Sequence, residues 1–179
     1  MQLARRRIYT GRVVHLDVDS VQYPDGSTGE MEMLRHPGAA AVIPFASDPT
    51  GADPTVLLIR QYRYATGGPL LEIPAGRLDS GEAPEQCARR ELKEEIGVTA
   101  GRLERLTTIW TTPGFTDERI HLFWAADLTA GAHAREPDEF IEVVPRPLSE
   151  VLALVRSGEI CDGKTVVAIL YMAGFILGI

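Results

Sequence analysis

Three glutamates, Glu91, Glu94 and Glu95, stand at spacing i, i+3, i+4 within EQCARRELKEEI. On an α-helix that spacing stacks their carboxylates over adjacent turns of one face. Left alone, exposed like charges so placed repel by roughly 0.2–0.5 kcal/mol per pair. A hard divalent cation converts that repulsion into coordination, because Mg²⁺ takes carboxylate oxygens and keeps several of its waters. The alternative is a solvated acidic helix face, which is common in an acidic protein. The neighbouring residues argue for coordination. Pro74-Ala75-Gly76 makes a tight loop before the helix, followed by Arg77-Leu78-Asp79-Ser80-Gly81. Its glycines permit close backbone approach, so a backbone carbonyl can turn toward the same ion.

The elements that must hold these groups are legible from patterning. The chain has 179 residues, 45% hydrophobic and 24% charged, which suits a folded soluble domain with a real core. Its 25 acidic residues exceed 18 Lys+Arg, a net charge of −7, which excludes a basic nucleic-acid scaffold. Such a protein handles anionic substrates only with metal ions or a local arginine cluster. Two cysteines, Cys87 and Cys161, make no disulfide framework and suit a reducing cytoplasm. The start, MQLARRR, has no apolar stretch of a secretion signal. The most apolar segment, 165–179, is too short to span a bilayer and is expected to be a buried terminal helix, so no membrane partner is expected.

Residues 8–35 alternate apolar and polar around a Pro24-Asp25-Gly26 turn, as strands of a meander do. Further strands are expected at 39–46, 55–64, in LERLTTIWTT and in RIHLFWAADL. Helices are expected at 84–96, with Pro84 in its first turn and Gly97 as its stop, and at 148–157. Strands outnumber helices, and the class is α+β. Trp110, Phe115 and Trp124 lie on apolar strands or beside them and are expected in the core, although each is aromatic enough to stack a base. His121 and Cys87 read as packed residues, and Arg5-Arg6-Arg7 as a solvated run.

Gly76, Glu82, Arg90, Glu91, Leu92, Glu94, Glu95, Gly97 and Val98 together fill the nine specified positions of the box of the Nudix hydrolases. Chance agreement is on the order of 10⁻⁸ or less per starting position. Arg60-Gln61-Tyr62-Arg63, the LEIPAG run and Pro113, 15 residues past Val98, resemble the ADP-ribose pyrophosphatase branch of that family.

The resemblance implies a Nudix fold, a mixed β-sheet sandwiched between helices as α/β/α, over 39–179. An N-terminal antiparallel meander over 1–38 would dimerise the chain and complete the partner's site. It implies Mg²⁺- or Mn²⁺-dependent hydrolysis, with two or three ions, of a nucleoside diphosphate sugar. ADP-ribose is favoured, GDP-mannose is the alternative, and a non-catalytic ADP-ribose sensor is a rival that the intact glutamates argue against. Glu91, Glu94, Glu95 and the Ala75 carbonyl would hold the metal, with Glu94 and Glu95 counted as catalytic. The general base would come from the acidic segment 136–142, with Glu139 favoured over Glu136 and Asp138. Arg63 would hold a phosphate, Glu118 ribose hydroxyls and Glu32 the adenosine end. Where relatives carry an Arg-Glu pair, this chain has Met31-Glu32. Within the box, Gly76, Glu82, Arg90 and Gly97 would be structural, Glu82 and Arg90 as an ion pair, with Glu82 as a metal ligand the alternative.

Overall fold

The structure, a computed structural model, describes residues 1–131 and 141–179. Period-2 sequence becomes strand from the start. Strands β1 (Gln2–Thr10), β2 (His15–Gln22) and β3 (Thr28–Arg35) form an antiparallel sheet in the order β1-β2-β3. The Pro24-Asp25-Gly26 turn joins the last two, with Gly26 at φ 86° and Ser27 donating its N–H to Asp25 at 2.9 Å. On β2, Asp17 is fully buried and takes hydrogen bonds from Arg7 and Arg35. Those bonds, led by Arg7, hold its carboxyl below the usual range. The Arg5-Arg6-Arg7 run is exposed, as expected, although Arg7 binds Asp17 and Arg5 lies 3.9 Å from the same carboxylate.

The remaining elements are β4 (Ala39–Pro44), β5 (Thr55–Arg63), β6 (Gly68–Glu72), β7 (Ala75–Arg77), α1 (Pro84–Ile96), β8 (Val98–Trp110), β9 (Arg119–Ala130), β10 (Ile141–Pro147), α2 (Leu148–Ser157) and α3 (Gly163–Tyr171). A mixed sheet runs β7-β4-β9-β8, with β4 parallel to β9 and the other pairs antiparallel. A second, antiparallel sheet runs β10-β5-β6. Alternation along β4 and β9 divides the core into two layers. Ala39, Ala41, Ile43, Leu122 and Trp124 pack with α2 and α3 residues such as Val151, Ala168 and Ile169. Ala40, Val42, Phe123 and Ala125 face Cys87, Ala88, Leu92 and Ile96 of α1. A sheet buried on both faces needs apolar residues at every position, and AAAVIP supplies them. The architecture is the expected α+β sandwich.

Two expectations change. The apolar C-terminus starts its helix at Gly163, because Asp162 accepts the Thr165 N–H at 3.0 Å and caps it. Past Tyr171 the coil widens to a π-type turn at Met172–Leu177, where Met172 and Ala173 are buried but Phe175 and Ile176 are exposed. The terminal helix is thus buried on one side only. Among the described residues no helix is long and apolar enough to cross a membrane.

Candidate active site

Helix α1 buries Cys87, Ala88, Glu91, Leu92, Glu95 and Ile96, the stripe that a 3.6-residue period presents to the sheet. Two members of that stripe are carboxylates. Glu91 is 6% exposed and Glu95 2%. Burying ionised glutamates is costly unless partners compensate, so their place on an apolar face calls for a reason beyond packing. The helix is well delimited. Ala83 N–H donates to the Gln86 side chain at 3.0 Å, Pro84 takes the first turn, and Gly97 closes the end at φ 68°.

The loop meets the helix closely. Glu95 accepts the Ala75 N–H at 3.0 Å. A Cβ on Gly76 would lie 1.7 Å from Oε1 of Glu91, so the missing side chain is what admits that carboxylate against the turn. Arg90 ties the rest together. Its Nε and Nη2 donate to Glu82 at 2.9 and 3.0 Å, its Nη1 to Glu91 at 2.6 Å and Glu94 at 2.9 Å, and its Nη2 also to the Arg77 carbonyl at 3.0 Å. The bond from Arg90 draws the Glu82 carboxyl down to about 2. Burial pushes the Cys87 thiol up to about 12, with the Glu91 charge adding to it, so this cysteine is inert.

Among the described residues no three His, Cys, Asp or Glu side chains converge tightly enough to enclose an ion, and the Arg90 fork lies between Glu91 and Glu94. The donors nonetheless suit a hard divalent cation. They are carboxylate oxygens, two of them on the buried stripe, beside a turn whose glycine leaves room for them.

In front of this turn opens a cavity of about 720 Å³. Ala75 and Gly76 line it, together with Arg63, Glu118, Trp110 and Lys164. Arg63 is held from behind by Glu72, which is 1% exposed and accepts its Nε at 2.8 Å and its Nη2 at 3.1 Å. Burial pulls against the guanidinium charge, but the bonds to Glu72 outweigh it and keep Arg63 above its ordinary value. Glu118 accepts a bond from Thr111 at 2.9 Å and lies 3.4 Å from Nδ1 of His36. The loop bearing Glu118 is pinned to the N-terminal sheet. Leu34 N–H reaches the Phe115 carbonyl at 2.7 Å, and Arg35 donates to Asp117 at 3.1 Å.

Of the residues singled out in sequence, Arg63, Ala75, Gly76 and Glu118 thus share one cavity, while Glu91 and Glu95 adjoin its turn from α1. Glu32 is exposed on β3 opposite Val18 and does not line this cavity. Glu139, Glu136 and Asp138 lie outside the described residues. Trp124 is buried, with its ring edge-on to Phe45, but the core expectation for Trp110 and Phe115 is corrected: they are 55% and 50% exposed. Trp110 ends β8 at the cavity, with the Arg119 guanidinium 5.3 Å from its ring centre. Sequence reasoning missed Glu72, His36 and Lys164. Glu72 had a signal, a lone acid inside an apolar strand, whereas Lys164 follows a helix cap and had none.

Residues 35–163 match the family profile described as NUDIX domain. The chain belongs to the Nudix family. The Nudix relatives include a protein of Bacillus subtilis named ADP-ribose pyrophosphatase, 40% identical over 172 residues that cover 95% of this chain and 90% of that one. A Bacillus methanolicus protein named methanol dehydrogenase activator is 40% identical over 93% of this chain and 88% of its own. A Citrobacter koseri protein named GDP-mannose pyrophosphatase is 42% identical over 66% of each chain. The Nudix fold is seen again in the crystal structure of an ADP compounds hydrolase, with a TM-score of 0.84 at 22% identity over 99% of this chain and 94% of that one. With the whole box in place, the chain is a Nudix hydrolase, and Nudix hydrolases generally use Mg²⁺ or Mn²⁺.

Proposed function

We propose that the chain hydrolyses the pyrophosphate bond of a nucleoside diphosphate sugar, with ADP-ribose the preferred substrate and AMP and ribose 5-phosphate the products. The observation that carries this reading is the cavity itself. Arg63 lines it together with Ala75 and Gly76 of the box turn, against which Glu91 and Glu95 pack from α1. The name of the Bacillus subtilis relative, whose length this chain nearly spans, supports the choice of substrate. The runner-up is GDP-mannose, favoured by the relatives of that name and by Met31, which stands where an arginine would hold the adenosine end.

Glu91, Glu94, Glu95 and the Ala75 carbonyl would hold two or three Mg²⁺ or Mn²⁺ ions, which supply charge neutralisation at the pyrophosphate and a more acidic water. The protein's own part is positioning and proton transfer. Arg63 orients a phosphate through the part of its fork that Glu72 leaves unused. Glu118 accepts ribose hydroxyls. Glu139 takes the proton from water as its oxygen bonds to one phosphorus and the bridging P–O bond breaks. The protein acts in the cytoplasm as a homodimer, in which residues 1–38 and their Glu32 complete the partner's site.

The deciding experiment is hydrolysis of ADP-ribose, GDP-mannose, NADH, dinucleoside polyphosphates and 8-oxo-dGTP, with Mg²⁺ or with chelator, by wild type and Glu95→Gln. Preferred, metal-dependent cleavage of ADP-ribose that fails in the mutant is expected. Tight ADP-ribose binding without turnover would make the protein a sensor, and preference for GDP-mannose would select the runner-up.

A further inference from the structure

The carboxylate behind Arg63 has a second cation. Lys164, on the first turn of α3, donates from Nζ to Oε2 of Glu72 and, at 2.9 Å, to Oδ2 of Asp162. Its side chain is largely buried, yet Lys164 lines the same cavity as Arg63. The four charges alternate as Arg63, Glu72, Lys164 and Asp162 and sum to zero. The group is anchored from both ends. Asp162 also accepts the Thr165 hydroxyl at 2.6 Å, and the Thr165 hydroxyl oxygen accepts the Ile73 N–H at 2.9 Å. The start of α3 is thereby joined to the strand end that leads into Pro74-Ala75-Gly76.

We propose that Lys164 is a positioning residue that sets substrate affinity by acting through Glu72 on Arg63. This rests on the reading of the cavity as the site of a nucleoside diphosphate sugar. Glu72 is too deeply buried to be solvated, so its charge must be met by protein cations. With Lys164 present, Glu72 is shared, and Arg63 keeps part of its fork for a substrate phosphate. Without it, Glu72 and Asp162 draw on Arg63 alone. The group then carries a net negative charge at the wall that an anionic pyrophosphate must approach. Affinity should suffer first and the chemical step less, because Lys164 touches no reacting atom.

The test is the KM and kcat for ADP-ribose of the full chain with Mg²⁺, alongside calorimetric binding of ADP-ribose in chelator and the melting temperature. Lys164→Met is expected to raise KM and weaken binding on the order of tenfold with kcat within about threefold. Lys164→Arg, which restores the charge, is expected to return KM to within about threefold of wild type. Should the Met variant not fold, Lys164→Gln, which keeps a donor to Glu72 but no charge, carries the same expectation as Met. A lowered melting temperature with wild-type KM and binding would make Lys164 merely structural and overturn the proposal while leaving the reading intact. A wild type that neither binds nor cleaves any nucleoside diphosphate sugar would overturn the reading, and this proposal with it.

Discussion

Gly76 and Glu91 share a space that admits only one of a methyl group and a carboxylate. A Cβ at position 76 would meet Oε1 of Glu91 at 1.7 Å and its Cδ at 2.0 Å. Gly76 lies outside the left-handed region, so the demand is for room and not for backbone freedom. The atoms in the way are the far end of a side chain that can swing, at the expense of its position.

Gly76→Ala should therefore separate stability from activity. Displacing the Glu91 head should cost no more than about 1 kcal/mol, about 2–4 °C at this chain length. Turnover should fall on the order of 10²-fold, because the carboxylate leaves its place beside the turn. Steady-state kinetics and a thermal melt on one preparation check both halves. Wild-type turnover would remove Glu91 from the proposed metal set.

Glu139→Gln should retain the fold and ADP-ribose affinity while turnover falls on the order of 10²-fold or more, as loss of a general base does. Near-normal turnover would pass the role to Glu136 or Asp138, each checked by its own amide variant.

Acid stability should carry the signature of the Glu82–Arg90 pair. The Glu82 carboxyl is held at about 2 by Arg90, below its ordinary 4.5. A depressed carboxyl stabilises the fold above its unfolded value, and that contribution is lost as pH falls through the folded value. Wild type should accordingly lose stability between pH 4.5 and about 2, and Glu82→Gln should start less stable at neutral pH and lose less across that window. Denaturant midpoints at several pH values give both slopes, and parallel slopes would contradict the assignment.

Trp110 should contribute a stacking surface. More than half exposed at the cavity, with Arg119 over its ring, it is free on one side to cover a base. Trp110→Ala should raise KM on the order of tenfold, since base–aromatic stacking contributes roughly 1–3 kcal/mol. Trp110→Phe should recover most of it, and an unchanged KM in the alanine variant would leave Trp110 as mere cavity wall.

Local signals account for what was legible beforehand. The i, i+3, i+4 glutamates, Pro84 and Gly97 define α1 within its own stretch of sequence, and its bounds follow. The same holds for the strand runs, where residues of one run suffice to set the period. The aromatics were less legible. Apolarity put Trp110 and Phe115 in the core as it did Trp124, but Trp110 is the last residue of β8 and Phe115 sits in the loop beyond, and both are exposed, whereas Trp124 lies mid-strand in β9 and is buried.

The sequence by itself determined the fold class, the helix carrying the box and the family, because each rests on residue types at short, fixed spacings. Only the tertiary structure decided that Arg63 of β5, Glu118 of the loop before β9 and Lys164 of α3 face one cavity, and that buried Glu72 gathers two cations. Glu72 and Lys164 are separated by 92 positions. No periodicity reaches that far. Contacts at such range exist only once the apolar layers have stacked, and the cost of a buried charge then selects which distant partners must meet it.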